Sequence, residues 1–327
     1  MKKVNRLELE NVSFAYEDEQ VVKSMSFDLE KGNHLSIIGA SGCGKTTLLE
    51  IIYGLHPFQG VIKWLGKKLK GPDERLVPGE PFIKYVSQSF DLYPFHTAYE
   101  NVGKHLKSMP YDEKEERIQE LLAMVEMKDY ADTKAKFLSG GQQQRIALVQ
   151  ALAEEPELLL LDEPFSHIDQ YRKNALRRNI FNYLKEKNIT CIVATHDPTE
   201  VLSYSDKTLV MKDGEVLQKD TPQNLYNNPQ SLYVATLFGE VSKLPASEIW
   251  PGKAASKDII LYPHELWLAK ASDFQVIVSG SYFCGSYYLI ESVYEGNKVF
   301  FNHSEALEDE TKVCLAADFE KLKHRLN

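Results

Sequence analysis

Apolar and polar residues alternate over 6–16 and again over 21–29, on either side of an acidic turn at 17–20. A period of two predicts half-buried strands, and the short turn predicts that they pair antiparallel. The run 34–39 is instead a short, mainly apolar segment that leads into a glycine loop, which is typical of a buried strand. A helix is predicted directly after it, over 46–53. The start of the chain therefore combines an antiparallel element with the first strand of a buried sheet.

Helices are predicted further along over 113–127, 140–153 and 171–187, and the first and last of these carry apolar residues at helical spacing. Continuous apolar runs at 158–161 and 190–194 predict two more buried strands. Because strands alternate with helices here, we expect a mostly parallel sheet covered on both faces. Next, Asp213-Gly214 between two short runs predicts a β-hairpin with a type I′ turn. The fold class predicted for this part is α/β, with an antiparallel β subdomain and a helical subdomain at about 89–152.

The pattern changes after about residue 240. Pro245, Pro251 and Gly252 predict a linker. Beyond it, short alternating runs at 274–278, 287–293 and 298–301 predict strands, and 318–325 closes the chain. We therefore expect two domains, the first at 1–240 and the second, a small barrel-like β-rich domain, at 241–327.

Composition narrows the function classes. The 327 residues, 43% of them hydrophobic, suffice for two cores, and the net charge of −9 disfavours binding to nucleic-acid phosphates. The four cysteines show neither zinc-site nor disulfide spacing, which indicates a reducing compartment. The first ten residues lack the apolar segment of a secretory signal. No run approaches the roughly 18 to 20 apolar residues that span a bilayer, so we expect any membrane role to require a partner.

The segment 39–46, Gly-Ala-Ser-Gly-Cys-Gly-Lys-Thr, matches the pattern of a phosphate loop. Its glycines let backbone N–H groups converge on an anion at a helix N-terminus. In this pattern Lys45 contacts the β- and γ-phosphates of ATP, and the hydroxyl of Thr46 ligates Mg²⁺. An ordinary glycine turn is the alternative that the pattern alone leaves open. The predicted nucleotide-binding residues here are Gly39, Ala40, Ser41, Gly42, Cys43, Gly44, Lys45, Thr46 and Thr47.

The buried strand at 158–161 runs into two acids, Asp162 and Glu163. At the strand tip, Asp162 is placed to hold Mg²⁺, directly or through water. Glu163, one residue on, is placed to accept the proton of an attacking water. Two exposed loop acids are the alternative, and the four preceding leucines favour the first interpretation.

The segment 138–142, Leu-Ser-Gly-Gly-Gln, lies between these two elements and resembles the signature of ATP-binding cassette (ABC) ATPases. The order of the landmarks resembles that family over residues 1 to about 240. The resemblance implies that Tyr16 stacks on adenine, that Gln88 contacts Mg²⁺ and the attacking water, and that His196 contacts the γ-phosphate. It also implies that 166–169 forms a dimer-interface loop. Taken one at a time, Tyr16, Gln88 and His196 also fit structural roles.

The signature has a physical rationale at the start of its helix, where free N–H groups and the positive end of the helix dipole favour a phosphate. In the family, this segment contacts the ATP held by the other copy of the chain. The resemblance therefore implies a homodimer that sandwiches ATP. The residues that it assigns to nucleotide binding are Ser139, Gly140, Gly141 and Gln142.

Cys43 lies beside the backbone amides of the phosphate loop. We expect those amides to lower its thiol pKa, so that alkylation inhibits hydrolysis and ATP protects.

Three later segments resemble a group of importers of iron, polyamines, sulfate and sugars. The segments 221–229 and 238–241 resemble the end of their cassette. The segment 261–266 resembles a strand of their C-terminal oligonucleotide-fold-like (TOBE) domain, with Tyr262 in place of an arginine. This domain either enlarges the dimer interface or senses a ligand, and the sequence leaves both open.

The segment 91–97 resembles the part of the helical subdomain that receives a cytoplasmic helix of the permease. Exposed aromatic residues at Tyr93, Phe95 and Tyr99 suit a helix-in-groove contact, and local packing is the alternative.

Together these features predict the ATPase subunit of an importer, with ATP and Mg²⁺ as cofactors. It would lie peripherally on the cytoplasmic face of the inner membrane, bound to permease subunits and served indirectly by a solute-binding protein. Ferric iron or a polyamine is the expected solute, and no nucleic-acid partner is expected. The alternative is a soluble ABC ATPase with a regulatory or nucleic-acid-associated role.

Overall fold

A computed structural model describes residues 6–75, 77–106, 108–253, 257–270 and 272–326. The first five residues, which bear on the predicted absence of a secretory signal, lie outside the described residues. The chain folds into two compact units, Met1–Pro222 and Gln223–Asn327. Among the described residues, no helix combines the length and the apolar character that crossing a membrane requires.

The secondary structure of the first unit follows the predicted order. Its strands are β1 (Arg6–Tyr16), β2 (Glu19–Glu30), β3 (His34–Ile38), β4 (Gln59–Trp64), β5 (Lys67–Lys68), β6 (Ile83–Val86), β7 (Leu158–Asp162), β8 (Thr190–Thr195), β9 (Lys207–Lys212) and β10 (Glu215–Asp220). Its helices are α1 (Lys45–Tyr53), α2 (Ala98–Val102), α3 (Tyr111–Met124), α4 (Gly140–Leu152), α5 (Gln170–Glu186) and α6 (Pro198–Tyr204). The predicted strand and helix types agree with these elements.

A six-stranded sheet forms the centre of this unit, in the order β10-β9-β3-β8-β7-β6. Strands β3, β6, β7, β8 and β9 pair parallel, and β10 joins the edge through an antiparallel hairpin. Every residue of β3, β7 and β8 is buried, as their largely apolar sequences predict. Because these three strands run the same way, the segments that follow them leave the sheet at one edge.

Two hydrophobic cores cover the opposite faces of this sheet. Leu159 and Leu161 of β7 pack into one core, and Leu158 and Leu160 pack into the other, as the two-residue period of a strand requires. The first core lies under α3, α4 and α5. The second core is closed by a four-stranded sheet, β2-β1-β4-β5, in which β1 pairs antiparallel with both of its neighbours.

The second unit contains a five-stranded antiparallel sheet with its own core. Its helices are α7 (Pro222–Asn227, which begins at the boundary), α8 (Leu232–Thr236), α9 (Ala246–Ile249) and α10 (Phe319–Leu322). Its strands are β11 (Ser242–Pro245), β12 (Asp258–Leu261), β13 (Trp267–Leu268), β14 (Gln275–Phe283), β15 (Tyr288–Tyr294), β16 (Asn297–His303) and β17 (Lys312–Ala316). The strand order in the larger sheet is β13-β17-β14-β15-β16, so the predicted β-rich character is confirmed.

Two details differ from the sequence-based expectation. The division falls earlier than residue 240, because Tyr226 stacks on Tyr262 with ring centroids 4.2 Å apart and its neighbour Asn227 accepts a hydrogen bond from Arg325. The linker predicted around Pro245 is wrong, since Pro245 ends β11. Trp250 just beyond it is buried in the second unit's core. Prolines mark element ends here, and burial of the apolar residues between them decides the structure.

Acid stability of the first unit should depend on His34, which is buried at the start of β3. Burial lowers the pKa of its imidazole from 6.5 to about 4; Lys185 lowers the pKa further, and Asp206 opposes the shift. Between these values the unfolded chain binds a proton that the folded chain does not. The free energy of unfolding should therefore fall as the pH falls through this window, by up to about 1.4 kcal/mol per pH unit.

Urea unfolding at several pH values between about 4.5 and 6.5 tests this expectation. The variant His34→Gln should lose that part of the pH slope, and the exposed control His264→Gln should keep it. An unchanged slope in the first variant would contradict the assignment.

Candidate functional site

An open cavity of ≈ 500 Å³ lies where the segments after β3, β7 and β8 leave the sheet. It is lined by residues of the phosphate loop and the start of α1, and by four other parts of the sequence, at Val21, Gln88, Glu163 and His196. The sequence-predicted residues on its wall are Ser41, Gly42, Gly44, Lys45, Thr46, Thr47, Gln88, Glu163 and His196. The fold therefore brings half of the predicted site residues to the wall of one cavity.

The phosphate loop turns tightly between β3 and α1. A Cβ atom on Gly39 would lie 2.3 Å from the carbonyl oxygen of Met211, so this position admits no side chain. Gly42 and Gly44 have φ of 80° and 99°, in the region that glycine adopts most readily. Helix α1 begins at Lys45, and its first N–H groups are available to an anion.

The ammonium group of Lys45 is hydrogen-bonded to the backbone of this loop. Its Nζ atom donates to the carbonyl oxygens of Gly39 at 2.8 Å and Ala40 at 3.0 Å, and only 8% of the residue is exposed. The positive charge is thereby held among the loop carbonyls, within the site that would receive a phosphate.

The carboxylate of Asp162, which is 2% exposed, lies near the hydroxyl of Thr46, which opposes a rise in its pKa. Burial raises the pKa of Asp162, and the charges of Glu163 and Glu50 raise it further. Its Oδ2 atom has no hydrogen-bond partner among the described residues. A buried, unsatisfied carboxylate oxygen beside a hydroxyl is a donor set that suits Mg²⁺.

The rest of a magnesium shell would have to come from elsewhere. Within the described ranges, no group of three or more His, Cys, Asp or Glu side chains is arranged to hold a metal ion. Nucleotide phosphates, water and the amide of Gln88 are the ligands that the cavity leaves room for. The residues therefore fit a cation that arrives with the nucleotide.

Tyr85 is a site residue that the sequence analysis missed. Its side chain lies near the carboxylate of Asp162, and burial together with that carboxylate raises the pKa of Tyr85. Tyr85 lies on β6, opposite Leu160 of β7. Only the parallel pairing of two strands that are distant in sequence brings it there, so no local motif indicates it.

Glu163 and His196 face each other across the cavity, with Glu163 Oε1 3.1 Å from His196 Nδ1. The backbone of Glu163 is left-handed, with φ of 48°, and its N–H donates to the carbonyl of Ala194 at 2.9 Å. The Glu163 side chain is 23% exposed and that of His196 is 66% exposed. A carboxylate and an imidazole thus reach the same open volume as the exposed side chain of Gln88.

Tyr16 does not line this cavity. Its hydroxyl lies 3.1 Å from Nε2 of His56, and its ring packs edge-on against Phe14. His56 lies 2.8 Å from a carboxylate oxygen of Glu50. With 44% of its surface exposed, Tyr16 remains accessible to a flat ligand, and its predicted contact with adenine stays a prediction.

The signature residues lie in a second cavity of ≈ 440 Å³, separate from the first. Ser139 and Gln142 form a reciprocal cap on α4: Ser139 Oγ accepts from the N–H of Gln142, and Gln142 Oε1 accepts from the N–H of Ser139. The wall of this cavity comprises Ser139, Gly140, Gly141, Gln142, Arg145, His167, Ile168, Asp169 and Arg172. Within one chain, the signature and the phosphate loop are not brought together.

The wall of the second cavity carries a net positive charge, because Arg145 and Arg172 outnumber the single carboxylate of Asp169. Burial lowers the pKa of Arg145, and repulsion by Arg172 lowers it further. Two guanidinium groups and the N-terminus of a helix of 13 residues therefore converge on an open volume. Such a surface attracts an anion.

The structure contradicts the predicted lowering of the Cys43 thiol pKa. The thiol is only 6% exposed, and burial raises its pKa, with the charge of Lys45 opposing the shift only in part. The loop amides do not dominate, because the sulfur is packed inside the loop against the position of Gly39. The expected sensitivity to alkylation therefore loses its physical basis.

Comparisons with known proteins agree on one class of protein, the ATP-binding subunits of ABC transporters. A family model described as ABC transporter matches residues 22–166. A spermidine/putrescine import ATP-binding protein of Thermotoga maritima is 38% identical over 244 residues, which are 74% of this chain and 65% of the relative. An Fe(3+) ions import ATP-binding protein of Haemophilus influenzae is 39% identical over 74% of this chain and 70% of the relative. The chain thus spans less than two thirds of the Thermotoga protein's length.

Solved structures give the same result for the fold. A dimeric bacterial ABC transporter cassette, MJ0796, superposes with a TM-score of 0.59 at 31% identity, covering 66% of this chain and 98% of that one. A further structure of MJ0796, dimeric and bound to ADP and Pi, has a TM-score of 0.58 at 30% identity, covering 66% of this chain and 98% of that one.

The two signature glycines should respond differently to an added methyl group. A Cβ on Gly141 would lie 2.6 Å from the carbonyl oxygen of His167, whereas a Cβ on Gly140 meets nothing within 4 Å. We expect Gly141→Ala to lower the free energy of unfolding by about 1–3 kcal/mol through overpacking, and Gly140→Ala to leave it nearly unchanged. Chemical denaturation of the nucleotide-free protein measures both. Equal effects would contradict the packing described here.

Proposed function

The chain belongs to the ABC transporter ATPases, and from that premise we propose that it binds and hydrolyses Mg-ATP as the energy-supplying subunit of an importer. The family and the P-loop α/β fold predicted from the sequence are confirmed by these comparisons. The observation that supports the proposal most strongly is the division of the site into two cavities. One holds the phosphate loop with Glu163 and His196, and the other holds the signature.

A homodimer would join these two half-sites. Two copies related by a two-fold axis place the signature of each against the phosphate loop of the other, so that each ATP is held by both. The positive charge of the signature cavity complements the triphosphate. In this arrangement ATP favours association, and loss of the γ-phosphate weakens it.

Each residue has a defined task within one half-site. Lys45 and the amides of the phosphate loop would bind the β- and γ-phosphates, and Thr46, Gln88 and Asp162 would hold Mg²⁺, which supplies positive charge against the phosphate oxygens. Glu163 would accept a proton from the attacking water at its carboxylate. His196, 3.1 Å from that carboxylate, would orient it and contact the γ-phosphate.

The proposed partners are permease subunits at the cytoplasmic face of the membrane, and indirectly a solute-binding protein. Exposed aromatic residues support a permease contact: Phe95 is 68% exposed and Tyr93 is 42% exposed. Tyr99 fits this contact less well, because it is half-buried and its hydroxyl donates to Glu115. The relatives' names include import of polyamines, Fe(3+) and sulfate, and we propose ferric iron or a polyamine as the solute.

The second unit would either enlarge the dimer interface or sense a ligand.

The alternative function, a soluble ATPase with a regulatory or nucleic-acid role, is not supported. The relatives described above are import subunits, and the net charge of −9 opposes binding to phosphate backbones.

Substituting the proposed general base tests the ATPase. Glu163→Gln should lower the hydrolysis rate by about 10² to 10⁴-fold and leave an ATP-bound dimer, since the amide cannot accept the proton. Light scattering during size exclusion with Mg-ATP measures the dimer. The double variant Glu163→Gln/Lys45→Ala is the control and should remain monomeric. A monomeric Glu163→Gln protein at saturating Mg-ATP would contradict the role of Glu163.

Isolation from native membranes in mild detergent tests the importer. Co-purification of a multi-span permease supports the proposal, and a solute-binding protein in the same set identifies the solute class. Recovery only in the soluble fraction, with ribosomes or nucleic acid, would favour the alternative.

A further inference from the structure

Gln144 lies one turn into the signature helix α4 and is only 1% exposed. Its amide is fully engaged with the segment that follows β7. The Nε2 atom donates to the carbonyl oxygen of Glu163 at 3.0 Å and to Ser166 Oγ at 3.4 Å. The Oε1 atom accepts from the N–H of His167 at 3.1 Å. One buried side chain therefore holds both ends of the loop 163–167.

This loop needs such support at Glu163. A glutamate at φ of 48° is in a region that residues other than glycine adopt at a cost, and it persists only where its surroundings fix it. The Glu163 N–H is fixed by Ala194, and its carbonyl is fixed by Ser166 and Gln144. Of these contacts, only the one from Gln144 comes from the helix that carries the signature.

Close packing also joins the start of α4 to the loop 163–167. The position of a Cβ on Gly141 falls 2.6 Å from the carbonyl oxygen of His167, so α4 and the loop are in contact one turn before Gln144. The start of α4 and the loop 163–167 are thus joined by packing and by hydrogen bonds. A displacement of the signature would move the backbone of Glu163 with it.

We propose that Gln144 is a positioning residue for hydrolysis, and that its amide ties the orientation of Glu163 to the signature helix. This inference rests on the proposed function. In the dimer, the signature contacts the ATP of the partner subunit, whereas Glu163 acts on the ATP bound to its own phosphate loop. Gln144 therefore links the two nucleotide sites through a single side chain without contacting either nucleotide.

The preceding residue offers a matched control. Gln143 lies on the same helix, and its Nε2 atom donates to the carbonyl oxygens of Ala135 at 3.1 Å and Leu138 at 3.0 Å. It has the same chemistry and a similar number of bonds, but its partners are Ala135 and Leu138, the first residue of the signature, and not the loop 163–167. Its loss removes a contact at the start of the signature but none with the loop of Glu163, so it separates a disturbed signature backbone from a misplaced Glu163.

The test compares Gln144→Leu with Gln143→Leu in the full chain, by steady-state hydrolysis over a range of ATP concentrations. Misplacing Glu163 should lower kcat by about 10- to 100-fold while KM changes less than about three-fold. The Gln143→Leu protein should keep kcat within about three-fold at saturating ATP. Circular dichroism checks that both proteins are folded.

Two further variants keep the test decisive. Gln144→Glu retains the acceptor for His167 but loses the donor to Glu163, so it should also lower kcat, even if Gln144→Leu does not fold. Gln144→Leu combined with Glu163→Gln should still dimerise with Mg-ATP, because nucleotide binding does not need Gln144. A purely structural role for Gln144 would abolish that dimer and overturn the inference.

The failures of the two proposals are distinguishable. If Glu163→Gln alone retains full hydrolysis, the proposed function itself is wrong. If Glu163→Gln abolishes hydrolysis but Gln144→Leu and Gln144→Glu keep the kcat of the Gln143→Leu protein, only the positioning role is wrong.

Discussion

Parallel pairing of three completely buried strands is the constraint on which the site depends. Strands β3, β7 and β8 run side by side, and the chain leaves all three at the same edge of the sheet. Burial on both faces fixes their register, because a slip of one residue would move Leu158–Leu161 between two separate cores. Hydrophobic packing thereby places Lys45, Asp162 and His196 near the same edge of the sheet, although these residues are far apart in sequence.

The chemistry at that edge depends on groups that are costly to hold in a folded protein. Asp162 keeps a carboxylate oxygen without a protein donor among the described residues, and Glu163 keeps a left-handed backbone. Both become useful when a cation and a water arrive. The signature lies in a different cavity from the phosphate loop. One chain therefore supplies half of each of two ATP sites and completes neither site. Association is therefore a requirement of the chemistry in this account.

Most of the fold is predictable from the sequence, because the patterns that indicate its strands and the phosphate loop are local. Four consecutive leucines and the run 190–194 indicate buried strands without ambiguity, and the spacing in 39–46 indicates a phosphate loop. The errors have physical causes. Pro245 and Gly252 suggested a linker, but the apolar residues between them are buried. The thiol of Cys43 was expected to be acidic, whereas burial outweighs the nearby amides. Gln144 is hydrogen-bonded to a distant segment and Tyr85 lies near one, and periodicity and motifs do not record such contacts.

Complementation between two inactive variants tests the central claim, that each site is built from two chains. Lys45→Ala disables the phosphate loop, and Ser139→Arg blocks the signature, so each variant alone should be inactive. In a mixed dimer, one site combines both defects, and the other combines the intact phosphate loop of one chain with the intact signature of the other. The account predicts that mixing the two inactive proteins restores ATP hydrolysis. If the mixture stays as inactive as its components although mixed dimers form, the shared-site account is wrong.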